Sequence, residues 1–434
     1  MSNQAVQGIP NQESPKFQRY FVLLFIALAG GVITKLPYLF WTYYVPLMNA
    51  TGITNTQIGL LSTAYGLVNF ICYLPGGILA DRFSAKKLVV IACLGTALVG
   101  FWYSFLPGVI WLMVIHMAFA ITTVFVFWAA MIKAVNNLGS AKEQGRIFGS
   151  FEGARYLIGI IVSYGSIAVF SRFAEEVGGL RGVILYYSIL LVAAALLIGL
   201  FLKESKAVPA GKGEEAKPKL TLKDFLAVLK YPPIWMCGIL VFCAYANGCF
   251  GNYVSPYFVR GFEVSSTMSA FLFTTAASIS AVIAAFLGGF LADRIGSRVR
   301  YISIIFVLMA LFSAALLVIP VRPALLWVFY VPTILEFYCY YSIKALFFST
   351  IDDVNIPKHL TGAASGVISL VGYAPEIFIY VLIGQIIDTH TDSFLGYQIA
   401  FACMVGTAVI GAVCGFVLMK MIKSGKAPKT SGAA

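Results

Sequence analysis

Long apolar stretches separated by short polar knots run the length of this chain, and twelve of them reach the ~20 residues that a helix needs to cross a bilayer. They lie at 20–46, 57–80, 88–106, 109–134, 147–171, 183–203, 233–259, 267–292, 300–319, 325–349, 362–387 and 397–421. The pattern predicts an all-α integral membrane protein. The N-terminus is polar through Gln18 and carries no short apolar stretch with a small-residue cleavage site, so the first span is expected to be retained.

The polar knots repeat. Gly76-Gly77-Ile78-Leu79-Ala80-Asp81-Arg82 closes the second span and Gly288-Gly289-Phe290-Leu291-Ala292-Asp293-Arg294 closes the eighth. Each is followed by more basic residues, Lys86 and Lys87 in the first copy, Arg298 and Arg300 in the second. Asp81 and Asp293 stand 212 residues apart, Tyr44-Val45-Pro46 and Val254-Ser255-Pro256 stand 210 apart, and Ile132-Lys133-Ala134-Val135 and Ile343-Lys344-Ala345-Leu346 stand 211 apart. A near-constant offset over three landmarks marks a duplicated unit of six spans. Between the copies, Lys203 to Lys230 alternates Lys and Glu around Pro209, Gly211, Gly213 and Pro218, which reads as a linker. The predicted organisation is a cytoplasmic N-terminus at 1–19, a six-helix bundle at 20–203, a linker at 204–231, a second, pseudo-symmetric six-helix bundle at 232–421 and a tail at 422–434.

Composition narrows the function. Of 434 residues, 60% are hydrophobic and 11% charged, against about one-quarter charged in a soluble domain, which excludes a water-soluble core. The net charge of +12 follows topology instead of forming one patch. With the N-terminus inside, most Lys and Arg fall on cytoplasmic segments, and Arg172, Arg181, Arg260 and Arg322 fall outside. That asymmetry is the positive-inside rule, which places both termini in the cytoplasm and removes nucleic acid as a partner. The eight cysteines lie within predicted spans without the paired spacing of a zinc site, and His116, His359 and His390 are scattered, so no metal is expected. No nucleophile and base recur at a recognisable spacing and no Gly-rich phosphate loop appears, which argues against an enzyme and against ATP-driven transport by this chain.

The Gly-x-Leu-Ala-Asp-Arg element after the second span, repeated after the eighth, resembles the signature loop of the major facilitator superfamily, and twelve spans in two halves extend the likeness over the whole chain. More locally, Lys35-Leu36-Pro37, Gly145-Arg146-Ile147-Phe148-Gly149 with Glu152 and Arg155, and Gly372-Tyr373-Ala374-Pro375 resemble bacterial members of the YihN type. The loops depart from the family pattern at Ser84 and Ala85 in the first copy and at Ser297 in the second. The resemblance implies a transporter that works by alternating access as a monomer in a bacterial inner membrane, with no cofactor and with a proton gradient or counter-anion as driving force. It also implies that Asp81 and Arg82, Asp293 and Arg294, aided by Gly77 and Gly289, hold the cytoplasmic side closed in the outward-open state. A carboxylate at a helix end does this by accepting hydrogen bonds from a neighbouring helix N-terminus.

Seven ionisable residues lie in or near the edges of the spans: Lys35, Lys133, Glu152, Arg155, Glu336, Lys344 and Glu376. A charge at a helix centre costs ~2.5–3.5 kcal/mol on insertion scales, so each needs a partner or a water-filled cavity. Lys35, deep in the first span, leads the candidate substrate ligands, the alternative being a structural pair with Glu376. Its repeat-mate is Tyr245, followed by Asn247 and Asn252, which supply hydrogen bonds without charge. Glu152 and Arg155 share a helix face, either as a self-contained pair or with Arg155 turning to substrate when Glu152 takes a proton. Glu336 and Glu376 are the other proton carriers considered, and Tyr338 beside Glu336 is read as cavity wall or as ordinary packing. Lys133 and Lys344 sit near cytoplasmic ends, within reach of the interface by snorkelling. Gly145 and Gly149, like Gly362 and Gly366, have the spacing of close helix packing. Lys35 and Tyr245, Arg155 and Gly372, and Gly159 and Glu376 do not match across the repeat, so broken symmetry marks the expected binding site.

The expected function is proton-linked uptake of a small polar anion such as a carboxylate, sugar acid, sulfonate or organic phosphate, with anion exchange as the near variant. Multidrug efflux is the rival. The resemblance disfavours it, because drug antiporters of that superfamily usually carry a Gly-Pro turn in the fifth span and no proline lies from Arg146 to Phe173, and the basic residues at the site disfavour it too.

Overall fold

The computed structural model describes residues 16–139, 143–203, 226–354, 356–357 and 360–424, and most of the expected linker lies outside them. The first half contains α1 (Lys16–Val32), α2 (Leu39–Thr42), α3 (Tyr44–Thr51), α4 (Asn55–Arg82), α5 (Ala85–Tyr103), α6 (Val109–Ala120), α7 (Ala129–Asn136), α8 (Gln144–Phe170) and α9 (Glu176–Phe201). The second contains α10 (Pro232–Gly251), α11 (Val254–Phe262), α12 (Ser266–Ile295), α13 (Arg298–Val318), α14 (Leu326–Leu346), α15 (Thr350–Asp353), α16 (Thr361–Gly372), α17 (Pro375–Thr389) and α18 (Leu395–Lys423). No strand occurs among the described residues.

Ten helical stretches among these residues are long and apolar enough to cross a membrane alone, and α4, bent near Pro75, makes an eleventh. The first expected span is instead divided among α1, α2 and α3. Pro37 has no N–H to continue the helical ladder, and the chain turns irregularly from Ile33 to Tyr38 before α2 begins. The eleventh expected span breaks in the same way at Tyr373 and Ala374, just before Pro375. A π-helical run, Ile121–Trp128, joins α6 to α7. Extra residues of this kind re-aim side chains within a helix, and nothing in the hydrophobic pattern signals it.

Packing divides the molecule into two ends. One buried cluster, including Ile234, Val241, Ile302, Phe306, Ile343 and Leu418, belongs to the second half alone. The other holds the interior of the first half together with Tyr253, Tyr257, Phe258, Tyr380, Ile383 and Tyr397 of the second. The halves therefore share a core at the end away from the chain termini, where α4 packs on α17 and α8 on α12. Glycine permits the closest of these crossings. A Cβ on Gly59 would lie 2.5 Å from the Tyr380 backbone, and one on Gly384 would lie 2.4 Å from the carbonyl oxygen of Asn55.

Candidate functional site

The break in the first span exposes a cation. α1 crosses α8 so tightly that a Cβ on Gly31 would sit 2.9 Å from the Arg155 carbonyl oxygen and 3.2 Å from Gly159 N. Lys35 follows Gly31 by four residues and reaches along α8 to Ser163, whose hydroxyl accepts from Lys35 Nζ at 2.8 Å and donates to the Gly159 carbonyl. Lys35 is half-buried, and no carboxylate lies within ion-pair distance of it among the described residues. The structural pair with Glu376, the alternative raised by the sequence, does not form. Arg155 stands nearby on α8, within electrostatic range of Lys35, and its guanidinium donates to Glu152 Oε2 at 2.5 and 3.1 Å. In this arrangement the Glu152–Arg155 pair is self-contained.

The second half answers with a carboxyl and an ammonium. Glu376, in the first turn of α17 after the break, accepts a hydrogen bond of 3.1 Å from Tyr38 in the broken first span, so the two helix breaks meet across the halves. Tyr245 packs on Tyr373 with ring centroids 4.5 Å apart. Lys344 lies 5.4 Å from the ring centroids of both Tyr245 and Tyr340 and donates to Tyr340 Oη at 3.3 Å. Tyr156 on α8 and Tyr73 on α4, both in the other half, are within electrostatic range of Lys344 yet 51% and 54% exposed, which marks an open gap between the halves at this depth.

Beyond this group, toward the end away from the termini, the gap is shut. Trp41 packs on Tyr380 at 4.3 Å, Tyr44 on Tyr253 at 6.0 Å, and Asn252 donates to Tyr380 Oη at 3.0 Å. Farther out, Asp388 at the end of α17 receives four hydrogen bonds from the start of α4: from Asn55 N and Nδ2 at 3.0 and 2.6 Å, and from Thr56 N and Oγ1 at 2.8 and 2.6 Å. Glu176, which follows α8, accepts from Ser266 at the start of α12 and from Asn49 at 2.8 Å. Both carboxylates lie at the end away from the termini, Asp388 near the end of α17 and Glu176 at the start of α9. The hydrophobic pattern does not single out Asp388, because it falls one residue beyond the expected end of the eleventh span.

Several expected residues lie elsewhere. Asn247 is fully buried and donates to the Met404 carbonyl at 3.0 Å, so it fastens α10 to α18 and does not face Lys35. Glu336, on α14, is 1% exposed and faces Gly251 of α10, with Oε1 lacking a hydrogen-bond partner among the described residues. Tyr338 packs into the core of the second half beside Tyr301. Periodicity places a residue on a helix but does not say which neighbour that face meets, and this separates Asn247 from Tyr245.

At the terminus-bearing end, Asp81, Arg82, Asp293 and Arg294 are exposed and form no hydrogen bond or ion pair through their side chains among the described residues. A Cβ on Gly77 or Gly289 would meet nothing within 4 Å, whereas Gly76 lies against Phe125 and Gly288 against Ser342, each inside its own half. The close-packing glycines are thus Gly76 and Gly288, and they do not bring the halves together. Gly145 and Gly149 likewise face open space, contrary to the packing expected of their spacing. The cysteines are free thiols, seven of them buried, and no group of metal-binding side chains occurs among the described residues.

Comparison with known proteins agrees with this architecture. The family model described as Major Facilitator Superfamily matches residues 20–380. The chain is 30% identical to the inner membrane protein YqcE of Escherichia coli (strain K12) over 93% of this chain and 95% of that one. It is 26% identical to the inner membrane protein YihN of the same organism over 94% and 97%. Among solved structures, a bacterial homologue of the human lysosomal transporter Spinster, inward-facing and unoccupied, superposes with a TM-score of 0.77 at 16% identity, covering 96% of this chain and all of that one. The nucleoside transporter NupG superposes with a TM-score of 0.69 at 15% identity, covering 94% and 98%.

Proposed function

The chain belongs to the major facilitator superfamily, a multi-pass membrane transporter and not an enzyme, and from that premise we propose that it carries a small polar organic anion across a bacterial inner membrane. The observation that carries this reading is Lys35: an ammonium in a helix break, held by a single serine hydroxyl and left without a carboxylate among the described residues. Leaving such a charge uncompensated at mid-membrane is expensive unless a ligand or water answers it. Arg155 adds a second cation that becomes available if a proton neutralises Glu152. Tyr245 supplies an uncharged hydrogen-bonding group on the opposite wall, and Asn252 lies beyond it in the sealed layer, donating to Tyr380.

The sealed aromatic layer lies on the side away from the termini, and the gap opens toward the termini. With the termini in the cytoplasm, as the basic residues favour, this arrangement is inward-facing. Glu376 joins the halves through Tyr38 and is placed to exchange a proton as they part, which supports proton-linked uptake driven by no other cofactor. The protein works as a monomer in this reading.

The test is purified protein in liposomes, assayed against a panel of carboxylates, sugar acids, sulfonates and organic phosphates with and without a pH gradient. Saturable uptake of an anion is expected, and Lys35→Gln lowers it by at least about tenfold, the worth of one charge-assisted contact. A preference for neutral or cationic solutes overturns the anion reading. Uptake that ignores the pH gradient but requires an anion inside replaces symport with exchange.

A further inference from the structure

We propose that the transported anion carries two negative charges and bridges Lys35 of the first half to Lys344 of the second. This rests on the anion reading above and adds the substrate class. The repeat makes two lysines equivalent, Lys133 and Lys344. Lys133 has its charge answered inside its own half: Nζ donates to the carbonyls of Ala80, Asp81 and Phe83 at 2.6, 3.4 and 3.3 Å, capping the end of α4. Lysine at a helix C-terminus satisfies carbonyls that the helix leaves open.

Lys344 has no such duty. Its hydrogen-bond partner is the Tyr340 hydroxyl, the faces of Tyr245 and Tyr340 flank it, and no carboxylate lies within ion-pair distance of it among the described residues. Aromatic faces steady an ammonium without cancelling its charge. Snorkelling would aim it at the lipid headgroups, but Tyr245 and Tyr340 hold it, and Tyr156 and Tyr73 of the first half, with Glu376 of the helix that meets Tyr38, lie within electrostatic range of it. Glu376 accepts from Tyr38 and lies within electrostatic range of Lys344 but beyond ion-pair distance of it.

The gap is therefore lined by two ammonium groups without carboxylate partners among the described residues, one from each half. A monoanion answers one of them. A dicarboxylate or a phosphate monoester answers both and ties the halves together, which is the differential contact that a carrier needs between its open and closed arrangements.

The experiment titrates purified protein by thermal shift with matched pairs: succinate against its monomethyl ester, and methyl phosphate against dimethyl phosphate. The dianion of each pair is expected to bind at least about tenfold tighter. Lys344→Gln is expected to bring the pair to parity while monoanion binding changes by less than about threefold, and Lys344→Arg is expected to keep the preference. Parity in the unmodified protein, or a preference that survives Lys344→Gln, overturns the proposal and leaves an anion site at Lys35. Binding of neutral or cationic solutes to the exclusion of all four anions refutes the anion reading itself. If Lys344→Gln does not fold, amine acetylation of the unmodified protein decides. Methyl phosphate is expected to shield Lys35 and Lys344 together and leave Lys133 unchanged, and shielding of Lys35 alone overturns the bridge.

Discussion

The two ends of this molecule use the same chemistry in opposite states. At the end away from the termini, Asp388 and Glu176 grip the first turns of α4 and α12, helices of the opposite half. At the terminus-bearing end, Asp81 and Asp293 sit exposed at the last turns of those same two helices and grip nothing among the described residues. A carboxylate is welcome at a helix N-terminus, where backbone N–H groups lie free, and unwelcome at a C-terminus, where carbonyls already gather negative charge. Asp388 and Glu176 therefore rest in favourable fields, whereas Asp81 and Asp293 are held where only a helix N-terminus from elsewhere would favour them. The contrast supports a carrier whose two ends latch in turn.

The contrast between the two ends is lost most completely if the sealed end is kept from closing. Gly384→Leu places a side chain where even a Cβ would be 2.4 Å from the Asn55 carbonyl oxygen and 2.7 Å from Thr56 N. Ordinary overpacking costs about 1–3 kcal/mol because side chains yield, and here the obstacle is backbone, so the penalty exceeds that range. Spin labels on the exposed Phe173 and Val318 are expected to report the halves apart at this end. An unchanged distance would show that the α4–α17 crossing does not set the seal.

Asp388→Ala comes next. It removes the acceptor of four hydrogen bonds, two of them from the backbone N–H groups of Asn55 and Thr56. Hydrogen bonds to a charged group contribute about 1.5–3 kcal/mol each, but four on one carboxylate do not add. A net loss of about 3 kcal/mol is expected, roughly a hundredfold in the balance of the two arrangements. The same label pair measures it, and a shift under about threefold would reduce Asp388 to surface decoration.

Much of this is readable in the chain. The crossings and the repeat are legible because a bilayer demands long apolar helices and leaves little freedom in their length. Proline removes a donor wherever it stands, so Pro37 and Pro375 are places where a break can fall, but the apolar pattern of 20–46 and 362–387 reads as two continuous spans, and Pro332 lies inside an unbroken α14. What packs against a given face is not legible. Tyr245 and Asn247 are two residues apart on α10, and one meets Lys344 while the other meets Met404. Lys133 and Lys344 are equivalent by repeat, yet one caps a helix and the other faces the gap, because the residues around them diverged. Asp388 stays hidden for a related reason, since its role depends on Asn55 and Thr56, more than 300 residues earlier.

Tyr38→Phe tests the middle of the molecule, with a smaller effect. It deletes the 3.1 Å hydrogen bond to Glu376 that links the two helix breaks and leaves the ring packed on Tyr65 at 5.2 Å. About 1 kcal/mol, or roughly fivefold, is expected in the same balance. If Glu376 carries the proton, the variant also loosens the dependence of uptake on the pH gradient, and gradient dependence that stays as steep as before would move that role to another carboxyl.

The smallest effect is expected at the other end, and its smallness is the point. Asp81→Asn alters a side chain that forms no hydrogen bond or ion pair among the described residues in this arrangement, so thermal stability and the Phe173–Val318 distance should move by no more than about 0.5 kcal/mol would allow. Lys133 still caps the last carbonyls of α4 and keeps the helix end intact. Turnover should nevertheless fall, because the arrangement closed at the terminus-bearing end loses a charged acceptor that this one never used. The pairing of a silent stability assay with slowed transport separates a latch from a charge that merely records topology. Unaltered turnover would leave Asp388 and Glu176 as latches without counterparts, whereas a large loss of stability would mean that Asp81 already has work in the state seen here.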